Sequence, residues 1–223
     1  MEKTLRLTII IFGILFVNYS FGQTDIIKMY NNATTANEPA IKKNAKIIVS
    51  NLANFENGDF VCYEYNDKNF DKQIKVHRLL GKSGDIVEIK NGVLYLNNKN
   101  IDENLELKHL YLISSSEYQN LLNKENINME EVYHNDDKVY IILSDKIAKK
   151  NGLSSKINLK PKQEPDETIA KTYGENWNTD NFGPIKIPIG KCFVIGDNRH
   201  NSEDSRYNGL INESDIFGTV ILK

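Results

Sequence analysis

Between Cys192 and Arg206 the chain reads CFVIGDNRHNSEDSR, and no other stretch narrows the available folds as much. The apolar run CFVI is stopped by Gly196, so the polar residues that follow are held at a strand-to-loop junction, where sites are usually built on a rigid frame. Ser202, Asp204 and Arg206 alternate, and an extended segment would point all three to one side. A buried hydroxyl and carboxylate on that side suit the orientation of a base. The same residues also have a structural reading: Ser202 and Asp204 as turn formers, Asp204 with Arg206 as an ion pair, and Asp197, Asn198 and Arg199 as a turn pinned by a charge pair.

Short strand patterns dominate the first half. AKIIVS from Ala45 and DFVCYEY from Asp59 are apolar runs separated by turn residues, and IKVHRLLG continues the sheet. IVEIK and VLYLNN flank Asn91-Gly92, the dipeptide of a tight hairpin. Thr24 to Asn37 reads as a polar loop. Past His109 the character changes: SSSEYQNLLNK has helical spacing, VYIILS from Val139 reads as a strand, and a lysine-rich polar stretch runs to Pro161.

Composition excludes several classes. With 40% hydrophobic residues over 223 positions, the chain is long enough to bury its own core. A net charge of -2 without a basic stripe gives no nucleic-acid surface. Cys62 and Cys192 lie in apolar strand patterns and read as buried free thiols. His109, His134 and His200 have no ligand spacing, so no metal and no cofactor is assigned. Lys3, Arg6 and the apolar run Leu7–Val17 make residues 1–22 a targeting segment. It reads as a cleavable signal peptide, which would leave a periplasmic protein, or as an inner-membrane anchor facing the periplasm. The run is shorter than the roughly 20 residues that span a bilayer.

Three blocks, in order, resemble the bacterial type I signal peptidases. ATTANEPAI (33–41) sits where that family has its nucleophile box, VHRLLGKSGDIVEIKNGVLYLNNK (76–99) resembles the stretch carrying its general base, and the Trp177–Arg206 region resembles its last box. The resemblance, from about Ala33 to Ile221, implies a mainly β fold. Its catalytic-type sheet domain would span 23–108 and 176–223, with a smaller α+β domain inserted over 109–175. It implies a serine endopeptidase that removes signal peptides from exported precursors and binds them as extended strands. It places Thr34, Ala36, Asn37 and Pro39 in the oxyanion and substrate-binding region, Ser202 and Asp204 as orienters of the base, and Arg78, Asp197, Arg199 and Arg206 as structural support.

Two positions depart from the family pattern. Ala36 stands where the nucleophilic serine belongs, and His77 where the catalytic lysine belongs. An imidazole can take a hydroxyl proton, but a methyl group cannot attack a carbonyl. Asn37 also replaces the methionine that follows the nucleophile. The sequence therefore points to a non-cleaving or very weakly active relative that binds extended peptides. The alternative is an active endopeptidase with His77 as base and Thr34 or Thr35 as a displaced nucleophile. If residues 34–36 are extended, Thr35 faces away from His77, while Thr34 lies about 6.6 Å along the strand from position 36.

Overall fold

The computed structural model describes residues 26–66 and 72–223; the targeting segment at 1–22 lies outside the described residues. Among the described residues no helix is long and apolar enough to cross a membrane. In chain order the first strands are β1 (Ile27–Asn31), β2 (Lys46–Ser50), β3 (Phe60–Tyr65), β4 (Gln73–Gly81), β5 (Ile86–Lys90), β6 (Val93–Leu96) and β7 (Lys99–Asn100). Next come β8 (Lys108–Ser114), α1 (Ser115–Leu122), β9 (Val132–Asn135), β10 (Lys138–Ser144), α2 (Asp145–Lys150) and α3 (Glu167–Tyr173). The chain closes with β11 (Phe182–Lys186), β12 (Lys191–Ile195), α4 (Ser205–Asn208), β13 (Ile211–Asn212) and β14 (Ile216–Leu222).

The strands form a seven-stranded sheet in the order β1-β2-β14-β3-β4-β12-β13, a four-stranded sheet β11-β5-β6-β7, and a three-stranded sheet β8-β10-β9. The mainly β class expected from the sequence is what the chain forms. Apolar residues of the two larger sheets meet: Leu80, Phe193 and Ile195 from one pack with Val87, Ile89, Leu94 and Phe182 from the other. The β5–β6 hairpin turns at Asn91 and Gly92, both with positive φ (48° and 79°), as the Asn-Gly signal requires.

A further core is built from residues such as Tyr111, Tyr118, Val139, Ile141 and Leu153. Helix α1 starts at a capping box, with Ser114 accepting from the Glu117 N–H and Glu117 accepting from the Ser114 N–H. One expectation is corrected. The stretch read as loop before Asn37 contains β1, an edge strand paired with β2. Part of the lysine-rich stretch is α2, capped by Ser144. Ile169 of helix α3 joins the core shared by the two larger sheets.

Candidate active site

Antiparallel pairing of β3 with β4 sets Val61 opposite His77 and Tyr63 opposite Lys75. Side chains two apart on paired strands share a face, so His77 lies beside Tyr63 on the side that carries Val61, Leu79 and Val194. On the other side of β4 runs β12, with Ile195 opposite Arg78. The end of β12 therefore delivers Gly196 and Asp197 next to the His77-Arg78 pair.

Three arginine–carboxylate pairs hold the loop that follows. Arg78 grips Asp197 through two bonds of 2.8 and 2.6 Å and also donates to the Gly58 carbonyl. Arg199 grips Asp102 at 2.7 and 2.5 Å. The expected charge pair within the Asp197–Arg199 turn is thus replaced by two longer-range pairs, which tie the turn to β4 and to the segment after β7. Arg206 is buried with Asp204, to which it donates at 2.9 and 2.8 Å, and its remaining N–H groups reach Thr179 and the Arg199 carbonyl. Paired planar forks of this kind suit a buried carboxylate, although Arg199 Nε is left buried without a partner among the described residues.

The alternation expected across 202–206 breaks at Asp204. Asp204 is the N-cap of α4, accepting from the Arg206 N–H, and Arg206 is helical. Asp204 also accepts from the Gly196 N–H at 3.1 Å. Burial alone would raise its carboxyl, but Arg206, His77 and the Gly196 N–H hold it below the usual carboxylate range. Neither Ser202 nor Asp204 hydrogen-bonds His77. Asp204 acts on the ring through its charge alone, and Ser202 Oγ is buried without a partner beside Gly196. The group bonded to His77 Nδ1 is Tyr63 Oη, at 2.8 Å, a residue the sequence reading did not select.

Residues 34–40 form bends and turns rather than a strand, closed by bonds from the Glu38 N–H to the Thr35 carbonyl and from the Ile41 N–H to the Asn37 carbonyl. The strand-based comparison of Thr34 with Thr35 therefore has no footing; their surroundings decide instead. Thr35 Oγ1 accepts from Asn201 at 2.9 Å, and its carbonyl accepts from Asn198. Thr34 is exposed, and its Oγ1 lies 3.4 Å from the Ala36 N–H, a long bond that turns this N–H toward the threonine. Ala36 is buried, and its carbonyl accepts from the Asn198 N–H at 3.0 Å. Asn37, fully buried, donates to the Val76 carbonyl at 2.7 Å, which fastens the turn to β4 one residue from His77. Pro39 follows a cis Glu38-Pro39 bond.

A second anchor joins the turn to β8 and to Glu131. Buried Lys108 bonds Glu38 at 2.8 Å and Glu131 at 2.5 Å, and Glu131 also accepts from Asn198. The Lys108 backbone bridges Asp197 and Arg199. Elsewhere, His109 bonds Asp145, and His200 bonds Asp180 while accepting from the Leu110 N–H. Both cysteines are free and buried, and burial pushes the Cys62 thiol up to about 12.

Burial pushes the His77 imidazole down to about 4; Asp204 opposes the shift, while Lys75 and Arg206 add to it. The folded chain resists a proton that the unfolded chain accepts near 6.5, so this contribution to stability is complete above pH 6.5 and is lost as pH falls toward 4. The loss expected over that window is about 3 kcal/mol. Thermal melts at pH 7, 5.5 and 4 should show it, and His77→Gln should flatten the dependence in this range. An unchanged slope in that variant would contradict the assignment.

The family model described as signal peptidase, peptidase S26, matches residues 2–223. Signal peptidase I S of Bacillus subtilis (strain 168) is 29% identical over 172 residues, covering 77% of this chain and 60% of that protein. A signal peptidase I of Bacillus amyloliquefaciens is 31% identical over 186 residues, covering 81% and 65%. The chain thus spans less than two thirds of the length of these relatives. A crystal structure of a signal peptidase I from Enterococcus faecalis V583 overlaps 75% of this chain and 97% of its own, with 17% identity and a TM-score of 0.35. With a family model matched from residue 2 to residue 223, this chain belongs to the signal peptidase family, peptidase S26.

Proposed function

We propose that this chain is a non-cleaving or very weakly active member of its family that binds extended peptides, the signal-peptide segments of exported precursors, on the exported side of the inner membrane. It acts there either as a periplasmic protein or held by its N-terminal segment. The observation that carries the reading is Ala36. Acyl transfer needs an oxygen or sulfur nucleophile in reach of a base, and neither neighbouring threonine supplies one. Thr35 Oγ1 is engaged by Asn201, and Thr34 is directed to the Ala36 N–H.

The binding half of the family's machinery depends on backbone pairing and on a supported frame rather than on a hydroxyl. Support for such a frame comes from Asn37, which fastens the turn to β4, and from Lys108, Glu38 and Glu131, which hold its far side. In this reading residues Thr34 to Pro39 line the peptide site, His77 faces it, and Arg78, Asp197, Arg199, Asp204 and Arg206 keep it in shape.

Fluorescence anisotropy of a labelled precursor peptide with an Ala-x-Ala site tests the binding half. Saturable binding is expected, weakened at least tenfold, or about 1.4 kcal/mol, when both alanines become tryptophan. Absence of binding to the Ala-x-Ala peptide, or equal binding of the two peptides, would overturn the reading.

A further inference from the structure

His77 and Tyr63 sit on one face of β3 and β4, a step apart in register, and meet through Tyr63 Oη and His77 Nδ1 at 2.8 Å. Tyr63 is 2% exposed, and Nδ1 is the hydrogen-bond partner of its phenol among the described residues. A buried hydroxyl left without an acceptor is destabilising, so the phenol proton points at Nδ1. A ring nitrogen that accepts a hydrogen bond carries no proton, and a neutral imidazole has a single N–H, which must then be on Nε2. Burial holds the phenol well above its ordinary value and the imidazole down to about 4, so at neutral pH the first keeps its proton and the second stays neutral.

We propose that Tyr63 is a positioning residue that locks His77 in its Nε2–H form, which makes the ring a hydrogen-bond donor for a carbonyl oxygen of the bound peptide instead of a general base. The proposal rests on the peptide-binding reading and deepens it. A general base must present a lone pair to the hydroxyl it deprotonates. Nδ1 has given its lone pair to the phenol, and Nε2 has none to give. Two independent features, Ala36 and the Tyr63–His77 pair, therefore hold the site away from hydrolysis while leaving it equipped to hold a peptide carbonyl.

Nitrogen NMR of the imidazole rings in the unaltered full chain at pH 7 reads the tautomer directly. His77 is expected to show an unprotonated, hydrogen-bonded Nδ1 and a protonated Nε2, and Tyr63→Phe is expected to give a mixture of tautomers. A proton on Nδ1 in the unaltered chain would overturn the proposal, whether or not the variant folds. The chemical consequence is read by restoring a nucleophile. In Ala36→Ser, serine Oγ would bond to the scissile carbonyl carbon as its proton passes to the ring and on to the leaving amine, and the C–N bond would break. With Nε2 protonated, Ala36→Ser alone should stay at background, and Ala36→Ser with Tyr63→Phe should cleave at least about 100-fold faster. No gain from the second substitution would overturn the assignment. Failure of the peptide-binding reading is distinguishable, because it appears as absent binding with the tautomer unchanged.

Discussion

Replacing Arg206 with methionine is expected to destabilise the folded chain by about 3–5 kcal/mol. Asp204 is fully buried, Arg206 is 1% exposed, and the pair is joined by two hydrogen bonds. Removing the guanidinium strands a carboxylate in the interior and frees the Thr179 hydroxyl and the Arg199 carbonyl from their donor. The double substitution Asp204→Asn with Arg206→Met removes the unpaired charge as well, so it should cost less than Arg206→Met alone. Denaturant unfolding of the two variants measures the difference. A single variant no less stable than the double would show that the pair is not the support of this loop.

Gly196→Ala is expected to abolish peptide binding and to destabilise the protein by about 1–3 kcal/mol. A Cβ built on Gly196 would fall inside the contact distance of the Ala36 carbonyl oxygen and of Ser202 Oγ, and 2.6 Å from Ser202 Cβ. The obstruction includes backbone as well as side chain, so no rotamer change relieves it. The turn carrying Ala36 must move away from the end of β12, and the Asn198 N–H to Ala36 carbonyl bond goes with it. Here the glycine is required by close approach rather than by its own φ. Anisotropy titration and a thermal melt of the variant check both halves; retained binding at wild-type affinity would place the peptide elsewhere.

The parts of this fold that were legible in the sequence are those set by local chemistry. Alternating apolar residues marked β3 through β6, Asn91-Gly92 marked the hairpin, and the Leu-rich spacing after Ser114 marked α1. Strand β1 was hidden because it is an edge strand whose residues, including Ile27 and Met29, are mostly exposed, so it lacks the buried alternation that identifies a strand. Helices α2 and α4 are too short to show a period. Their signals are the capping residues Ser144 and Asp204, and the alternation of Ser202, Asp204 and Arg206 masks the second.

Ala36, Ser202 and Asp204, singled out by the resemblance to the family, lie beside Gly196 at the end of β12. What the sequence did not disclose is how they connect. Tyr63 meets His77 only because β3 and β4 pair in one particular register. Lys108 meets Glu38 and Glu131 across separations of 70 and 23 residues. Neither contact has a spacing signature, since both arise from tertiary pairing. A partner search along β3, given that it neighbours β4, would have found Tyr63 as the one aromatic hydroxyl within two positions of the residue opposite His77 that faces the same way.

The most direct test of a site that binds without cutting is mass spectrometry of an Ala-x-Ala precursor peptide after prolonged incubation with the unaltered protein, at a concentration where anisotropy shows it bound. The account predicts that the peptide is recovered intact. Recovery of fragments cut after the Ala-x-Ala site, with their formation lost in Thr34→Ala or Thr35→Ala, would contradict it and identify a displaced nucleophile.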